Sequence, residues 1–180
     1  TVNALNDPPV ALDINVITDE DQGTVIQLLG SDVDINTTLT YQIVSSSNNG
    51  SLNIDGGLVT YTPNNNFSGP DAFTYEVSDG NLLSNIASVS ISVSAVNDPP
   101  VITSVAPTSA TEDEEYSYQV DVSDPDDTSF TYELDNEPVD MVASENGVVT
   151  WTPLEGVTSS GLVTLTVSDG NLDVTETFEI

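Results

Sequence analysis

Twelve side chains of this chain sit in short motifs whose residue types and spacing could hold a hard cation. Asp32-x-Asp34 and Asp124-x-Asp126 each offer two carboxylates from one loop. Asn6-Asp7 and Asn97-Asp98 add oxygen donors from segments stiffened by the prolines that follow. Asp79 and Asp169 each precede a glycine in a turn, and Glu20 and Asp71 are acidic residues at strand ends. Calcium takes six to eight oxygen ligands at one ion, and Asp-x-Asp supplies two of them from one loop. The strongest set is Glu20, Asp71, Asn97, Asp98, Asp124, Asp126 and Asp169. Asn6, Asp7, Asp32, Asp34 and Asp79 form a half-site. The competing reading of each is a solvated turn in an acidic protein.

The motifs recur. Asn-Asp-Pro-Pro-Val occurs at Asn6–Val10 and again at Asn97–Val101, 91 residues later. Val59-Thr60-Tyr61-Thr62-Pro63 returns as Val149-Thr150-Trp151-Thr152-Pro153, and Val77 to Leu82 returns unchanged as Val167 to Leu172. Ser31-Asp32-x-Asp34 returns as Ser123-Asp124-x-Asp126, Leu39-Thr40-Tyr41 as Phe130-Thr131-Tyr132, and Glu20-Asp21 as Glu112-Asp113. Islands in one order at a nearly constant period mean a duplication. The period is too long for a solenoid and fits one β-sandwich domain. The expected domains are 1–98, with a partial preceding linker at 1–9, and 99–180.

The elements that must position these groups are strands. In Phe73-Thr74-Tyr75-Glu76-Val77 and Val89-Ser90-Ile91-Ser92-Val93 the apolar residues alternate, as one buried face requires. Turn signals fall between such runs at Asn49-Gly50, Asp55-Gly56, Asp79-Gly80, Asn146-Gly147 and Asp169-Gly170. The fold class is all-β: two tandem immunoglobulin-like, seven-stranded Greek-key sandwiches. Strands are expected at 10–17, 24–29, 38–45, 50–54, 58–62, 71–78 and 86–96. In the second domain they are expected at 101–105, 115–122, 129–134, 141–144, 148–152, 161–168 and 172–180, the last stopping at Ile180 because the piece is cut there. In such a sandwich the loops after strands two and six share one pole with the incoming linker. Asn97, Asp98, Asp124, Asp126 and Asp169 are therefore expected to converge. Glu20 and Asp71, at the far end of the first domain, are expected to cap that set from below.

Composition bounds the partners. The 180 residues carry 30 Asp and Glu and no Lys, Arg or His, a net charge of −30. Nothing can neutralise a phosphate, so nucleic acid and anionic membrane surfaces are excluded. No side-chain salt bridge is possible, and repulsion of this size opposes compaction unless salt or divalent cations offset it. There is no cysteine, and no run approaches the roughly 18 apolar residues of a membrane span. The chain reads as a monomeric piece of a longer exported protein, with any signal and anchor outside it.

The chain resembles the cadherin-type repeats of large bacterial surface adhesins. Val96-Asn97-Asp98-Pro99-Pro100-Val101 resembles the cadherin linker motif Asp-x-Asn-Asp-x-x-Pro, Ser123-Asp124-x-Asp126 its acidic loop, and Val167-Ser168-Asp169-Gly170 its acidic turn. Glu20 matches the glutamate after the first strand. The second half, with Ser123-Asp124-Pro125-Asp126 and Trp151-Thr152-Pro153, is closer to the dystroglycan-type cadherin-like domain. The resemblance implies calcium between successive domains and a stiff rod. Departures at Ala95, Pro99 and Asp71 imply fewer ions than in a cadherin junction, and Glu112 would serve a following domain.

The expected function is a calcium-rigidified extender repeat of an exported, cell-surface adhesin, with neighbouring repeats as partners. The alternative is a polysaccharide-binding module, for which Phe67, in a loop, is the best exposed aromatic. Trp151 alternates with Val149 and reads as core. An enzyme is not expected, because the acidic residues form repeated structural motifs with no His, Cys or Lys to assist. The sequons at Asn36 and Asn66 read as chance.

Overall fold

A computed structural model describes residues 5–35 and 37–180. The sequon at Asn36 and the first four residues of the expected linker lie outside them. Contacts divide the chain into Thr1–Val96 and Asn97–Ile180, and each unit builds its own sandwich.

Among its described residues the first unit has nine strands: β1 Val10–Ala11, β2 Ile14–Asp19, β3 Thr24–Gln27, β4 Gly30–Ser31, β5 Thr40–Ser45, β6 Gly50–Asp55, β7 Leu58–Pro63, β8 Gly69–Ser78 and β9 Ala87–Ser94. One sheet runs β2-β9-β8-β5, the other β3-β7-β6, and β1 pairs β4. The steps from β5 to β6 and from β7 to β8 cross between sheets, which is the Greek-key connection. Ladders are antiparallel except β2 on β9, which is parallel from Ile14↔Val89 to Asp19↔Ser94.

The second unit has eight: β10 Val101–Ile102, β11 Tyr116–Gln119, β12 Val122–Ser123, β13 Thr131–Asp135, β14 Val142–Ala143, β15 Val148–Trp151, β16 Val163–Ser168 and β17 Asp173–Phe178. Its sheets run β13-β16-β17 and β11-β15-β14, with β10 on β12.

Alternation builds both cores. Phe73, Tyr75 and Val77 of β8 are buried together with Val89, Ile91 and Val93 of β9 and Val59 and Tyr61 of β7. Val163, Leu165 and Val167 of β16 take the equivalent places in the second core, with Val149 and Trp151 of β15. Full burial of each such side chain contributes about 1.5–3 kcal/mol. Trp151 is core, at the position of Tyr61, as its alternation predicts.

Four expectations change; one is in the second unit, where the strand expected at 115–122 divides into β11 and β12 around Val120 and Asp121. The first strand, expected unbroken at 10–17, changes sheets at Leu12–Asp13. There the Asn85 side chain bonds the Ala11 backbone through both its amide oxygen and nitrogen, and Asp13 accepts the Ser88 N–H at 2.7 Å. The second strand, expected at 24–29, ends as β3 at Gln27; buried Leu28 still donates to Gly57 O in the same register, and the chain then leaves for β4 at Gly30. Phe67 is not a free aromatic: its N–H closes a turn onto Asn64 O, and its ring packs against the first core.

At Gly147 the sharp turn into β15 requires glycine. Its φ is +74°, and an added Cβ would lie 2.7 Å from the Tyr132 ring. Gly147→Ala is therefore expected to lose about 3 kcal/mol of stability in denaturant unfolding. A loss within a few tenths of a kcal/mol would show that the turn relaxes freely.

Candidate functional site

In the second unit, the antiparallel pair of β10 and β12 lays the linker beside the Asp124–Asp126 loop. The β16–β17 turn brings Asp169 to the same place. The Asp98 N–H donates to Asp126 Oδ2 at 2.8 Å. The Asn97 amide nitrogen donates to Asp169 Oδ2 at 2.8 Å and to Asp98 O at 2.9 Å. Asp124 Oδ1 accepts the N–H groups of Asp126 and Asp127 at 2.8 and 2.9 Å. Asp169 Oδ1 accepts those of Asn171 and Leu172 at 2.6 and 2.7 Å. These are Asx-type turns, in which a carboxylate organises the backbone that follows it. Pro100 is fully buried, so the linker is fixed in the body of the unit. The five residues predicted to converge around this linker, Asn97, Asp98, Asp124, Asp126 and Asp169, are within one hydrogen-bonded network.

The first unit repeats its main bonds. Asp7 N–H donates to Asp34 Oδ2 at 2.8 Å, and the Asn6 amide to Asp79 Oδ2 at 2.7 Å. Asp34 N–H donates to Asp32 Oδ1 at 2.8 Å, and Asn81 and Leu82 N–H groups to Asp79 Oδ1 at 2.6 Å each.

The electrostatics are those of anions held by dipoles alone. The Asn97 amide, then the Leu172 and Asn171 N–H groups, hold the Asp169 carboxyl below the usual carboxylate range. The Leu82 and Asn81 N–H groups, then the Asn6 amide, do the same for Asp79. One oxygen in each loop is left over. Asp32 Oδ2 and Asp124 Oδ2 are buried and have no hydrogen-bond partner. A buried carboxylate oxygen without a donor is costly, and the chain has no cationic side chain to meet it. All donors here are hard oxygens, which suits calcium or magnesium rather than a transition metal. Among the described residues, no three Asp or Glu already converge closely enough to hold an ion. The carboxylates are spaced around the linker by intervening N–H donors.

Glu20 and Asp71 both belong to the first unit. Glu20 is buried at the end of β2; its N–H donates to Ser94 O at 2.9 Å, and its Oε1 accepts the Val96 N–H at 2.6 Å. It clamps the segment that leaves β9. Asp71 points inward from β8. Its Oδ1 accepts the Asn48 and Ala72 N–H groups, and its Oδ2 the Asn49 N–H and the Tyr61 hydroxyl, at 2.9–3.1 Å. Four donors fill the acceptor sites of one carboxylate. Burial pushes the Asp71 carboxyl up, but the Asn48, Ala72 and Asn49 N–H groups and the Tyr61 hydroxyl outweigh it and hold it low. Burial and the Asp71 anion in turn push the Tyr61 hydroxyl far above its ordinary value. Glu112, the counterpart of Glu20, accepts the Gly156 N–H at 2.8 Å.

Sequence reasoning missed Asn171, whose amide reaches Asn97 Oδ1 at 3.4 Å, and Asn81. Both stand in the repeated Asp-Gly-Asn, which carried the signal. It also missed Asn85, which has no counterpart motif to mark it.

The bacterial Ig domain family matches residues 6–92 and again 97–180. Among solved structures, the chain is similar to protocadherin gamma B7 extracellular cadherin domains 1–4, at 24% identity over 96% of this chain and 48% of that one, with a TM-score of 0.55. It is similar to protocadherin gamma B2 extracellular cadherin domains 1–5, at 20% identity over 98% of this chain and 39% of that one, with a TM-score of 0.55. An endo-fucoidan hydrolase from glycoside hydrolase family 107 aligns more loosely, at 21% identity over all of this chain and 29% of that one, with a TM-score of 0.43. The chain spans from 28% to 50% of the length of these solved structures and others like them. No curated protein sequence matches it. No helix among the described residues is long and apolar enough to cross a membrane.

Asp71, Asp79 and Asp169 have folded-state pKa values below their unfolded values. Their stabilisation is therefore complete above the usual carboxylate range of about 4, and it is lost as pH falls through the lower folded values. General carboxylate repulsion acts in the opposite sense, and about 1 M salt screens it. In 1 M sodium chloride, urea unfolding is expected to show stability falling as pH drops from about 4 toward 2. Asp71→Asn, which cannot accept four donors, is expected to cost about 2–3 kcal/mol at neutral pH and to shrink that acid limb. An acid limb of unchanged size in the variant would remove Asp71 as its source.

Proposed function

The chain belongs to the bacterial Ig domain family, twice in tandem, and from that premise we propose that it is a calcium-stiffened extender repeat of an exported bacterial surface adhesin. The observation that carries this reading is the matched pair of orphan oxygens, Asp32 Oδ2 and Asp124 Oδ2. They occupy the same position in the two repeats, and each lies in a carboxylate set that grips its own linker.

Calcium would be held by Asp124, Asp126, Asp98 and Asp169 in the second unit, and by Asp32, Asp34, Asp7 and Asp79 in the first. It supplies positive charge and oxygen-only coordination where the chain itself has neither cation nor spare donor. Asp98 and Asp7 are fixed by backbone bonds to Asp126 and Asp34, so an ion drawing in the acidic loop also secures the linker. The linker then moves with the domain that follows it. Glu20 contributes by holding Val96 immediately before that linker, and Asp71 by locking the interior of the first sandwich. The resemblance of these motifs to cadherin linkers supports calcium over high salt as the answer to the charge, and supports a surface location and a role in adhesion.

The polysaccharide-binding reading is the weaker. The one Trp, six Tyr and four Phe are all at least partly buried, so no ring stands free as a sugar platform.

A ligand that binds only the folded state stabilises it by about 2.7 kcal/mol at a hundredfold excess over its dissociation constant. For domains of this size, that is upwards of about 10 °C in melting temperature. Melting is therefore expected to rise by this order in calcium over chelator, well beyond the rise in sodium chloride of matched ionic strength. Paired Asp32→Asn and Asp124→Asn substitutions should abolish the difference between the salts. In hydrogen exchange, the Asp98 amide should be the more protected in calcium. Equal shifts in both salts would make screening, not binding, the remedy for the charge.

A further inference from the structure

The two sandwiches part company around one ring. Tyr61 of the first unit and Trp151 of the second stand at the same place in the repeat. The Tyr61 hydroxyl is met inside the fold, by Asp71 at 3.0 Å. Gly161 stands at the place of Asp71 in the second unit, so that partner is gone. Trp151 is 5% exposed. Its indole N–H has no hydrogen-bond partner among the described residues, yet it is not sealed in.

Beside Trp151 lies a cavity of about 230 Å³, lined by Pro138, Val139, Asp140, Thr152, Leu154 and Val157. A single water needs only about 10–15 Å³ of such space, so a whole aliphatic side chain fits. Two changes between the repeats open it. Val142 pairs Thr150 where Asn53 pairs Thr60, so Val139 stands where Gly50 does. Gly50 has to be glycine, because an added Cβ would run into the Tyr61 ring. With valine there, the chain cannot keep that line against the indole. It bends into a turn, closed by the Met141 N–H on Pro138 O at 3.1 Å, with Asp140 at a φ of +68°. The ladder shrinks accordingly: β6 runs beside β7 from Gly50↔Pro63 to Asp55↔Leu58, whereas β14 meets β15 at Val142↔Thr150 and Ala143↔Val149. The second change is Val157, which stands as far past Pro153 as Phe67 past Pro63. The Phe67 ring packs against its core; the shorter Val157 lines the open space.

The mouth is apolar with an acidic border. Val139 and Leu154 are 85% and 66% exposed, and apolar side chains grouped around a pocket mark an interaction site. Asp140 lines the cavity, and Glu137 and Glu155 adjoin its lining in sequence. Unlike Asp71 and Asp169, these three carboxylates accept no hydrogen bond among the described residues. A second copy of this chain does not suit the site, because each copy carries a charge of −30. A sugar ring needs an open aromatic face, and Trp151 is nearly covered.

We propose that this cavity is a docking pocket for a basic segment of another protein, which seats one aliphatic side chain beside Trp151. Lys or Arg residues flanking that side chain meet Glu137, Asp140 and Glu155, and a backbone carbonyl of the segment accepts the indole N–H. One peptide thus supplies the apolar anchor, the acceptor and the positive charge that the site lacks. The first unit does not share the pocket, because Phe67 fills it and Asp71 takes the Tyr61 hydroxyl. The inference rests on differences between the repeats and not on calcium.

The test uses the whole chain and the capped peptide Gly-Lys-Lys-Leu-Lys-Lys-Gly. One control peptide has serine for leucine, and a second has glutamate for every lysine. Trp151 is the only tryptophan, so its emission and its single indole N–H resonance report the pocket directly. The leucine peptide is expected to blue-shift the emission, move the resonance and bind about tenfold tighter than the serine peptide. Its affinity is expected to fall as sodium chloride rises from about 0.01 to 0.15 M. The glutamate peptide is expected to give no response. Val157→Phe, which restores the ring of the first unit, is expected to remove the preference for leucine. Leu154→Ser, at the exposed mouth where folding is not at stake, is expected to reduce it. Silence of Trp151 toward the leucine peptide would overturn the proposal. So would equal affinity for the leucine and serine peptides, because charge alone would then account for binding. A full response to the glutamate peptide, or an undiminished leucine preference in both variants, would overturn it as well.

Discussion

Everything in this fold answers to one constraint: thirty carboxylates with no side-chain cation among them. An anion in a protein is usually steadied by Lys or Arg; here the available donors are backbone N–H groups, amides, hydroxyls, water and added ions. The structure uses the backbone wherever it can. Asp71, Asp79, Asp124 and Asp169 each accept at least two N–H groups, and those bonds shape the turns around them. The same residues that make the chain acidic therefore fix its loops. Where the backbone runs out of donors, at Asp32 Oδ2 and Asp124 Oδ2, a buried carboxylate oxygen is left unmet.

The duplication carries that solution twice. Two linkers, two acidic loops and two Asp-Gly-Asn turns hydrogen-bond in the same pattern, at distances that agree to within about 0.1 Å for the main linker contacts. The repeats differ where the sequences drift. Asp71 and Tyr61 lock the interior of the first sandwich, whereas the second has Gly161 and Trp151 at those places. There Tyr118 instead bonds Ser104 and Glu176, which ties the strandless stretch after β10 to β17.

Much of this was legible in the residues, for reasons that can be named. Period-two alternation fixes which face of β8 or β16 is buried, because only one face meets the other sheet. Short loops then leave acidic motifs at strand ends few places to go, so the grouping of Asn97, Asp98, Asp124, Asp126 and Asp169 followed. The direction of Asp71 was also legible: it shares parity with Phe73, Tyr75 and Val77, so it faces the core. Its type drew attention to chemistry and away from its position. The sheet change at Leu12–Asp13 was not legible, because it depends on Asn85, 74 residues away. Nor was the half-buried state of Phe67, which follows from a local turn folding the loop back onto the core.

The parallel pairing of β2 with β9 has a mechanical consequence. These strands lie next to the unit's entry and exit, and they run side by side in the same direction over six residue pairs. Tension applied at the two ends of the unit draws β2 and β9 along their lengths in opposite senses. The hydrogen bonds between them are loaded together in shear, not opened one at a time as in a peeled hairpin. Rupture then requires many bonds to fail at once, so this ladder is the unit's tensile clasp.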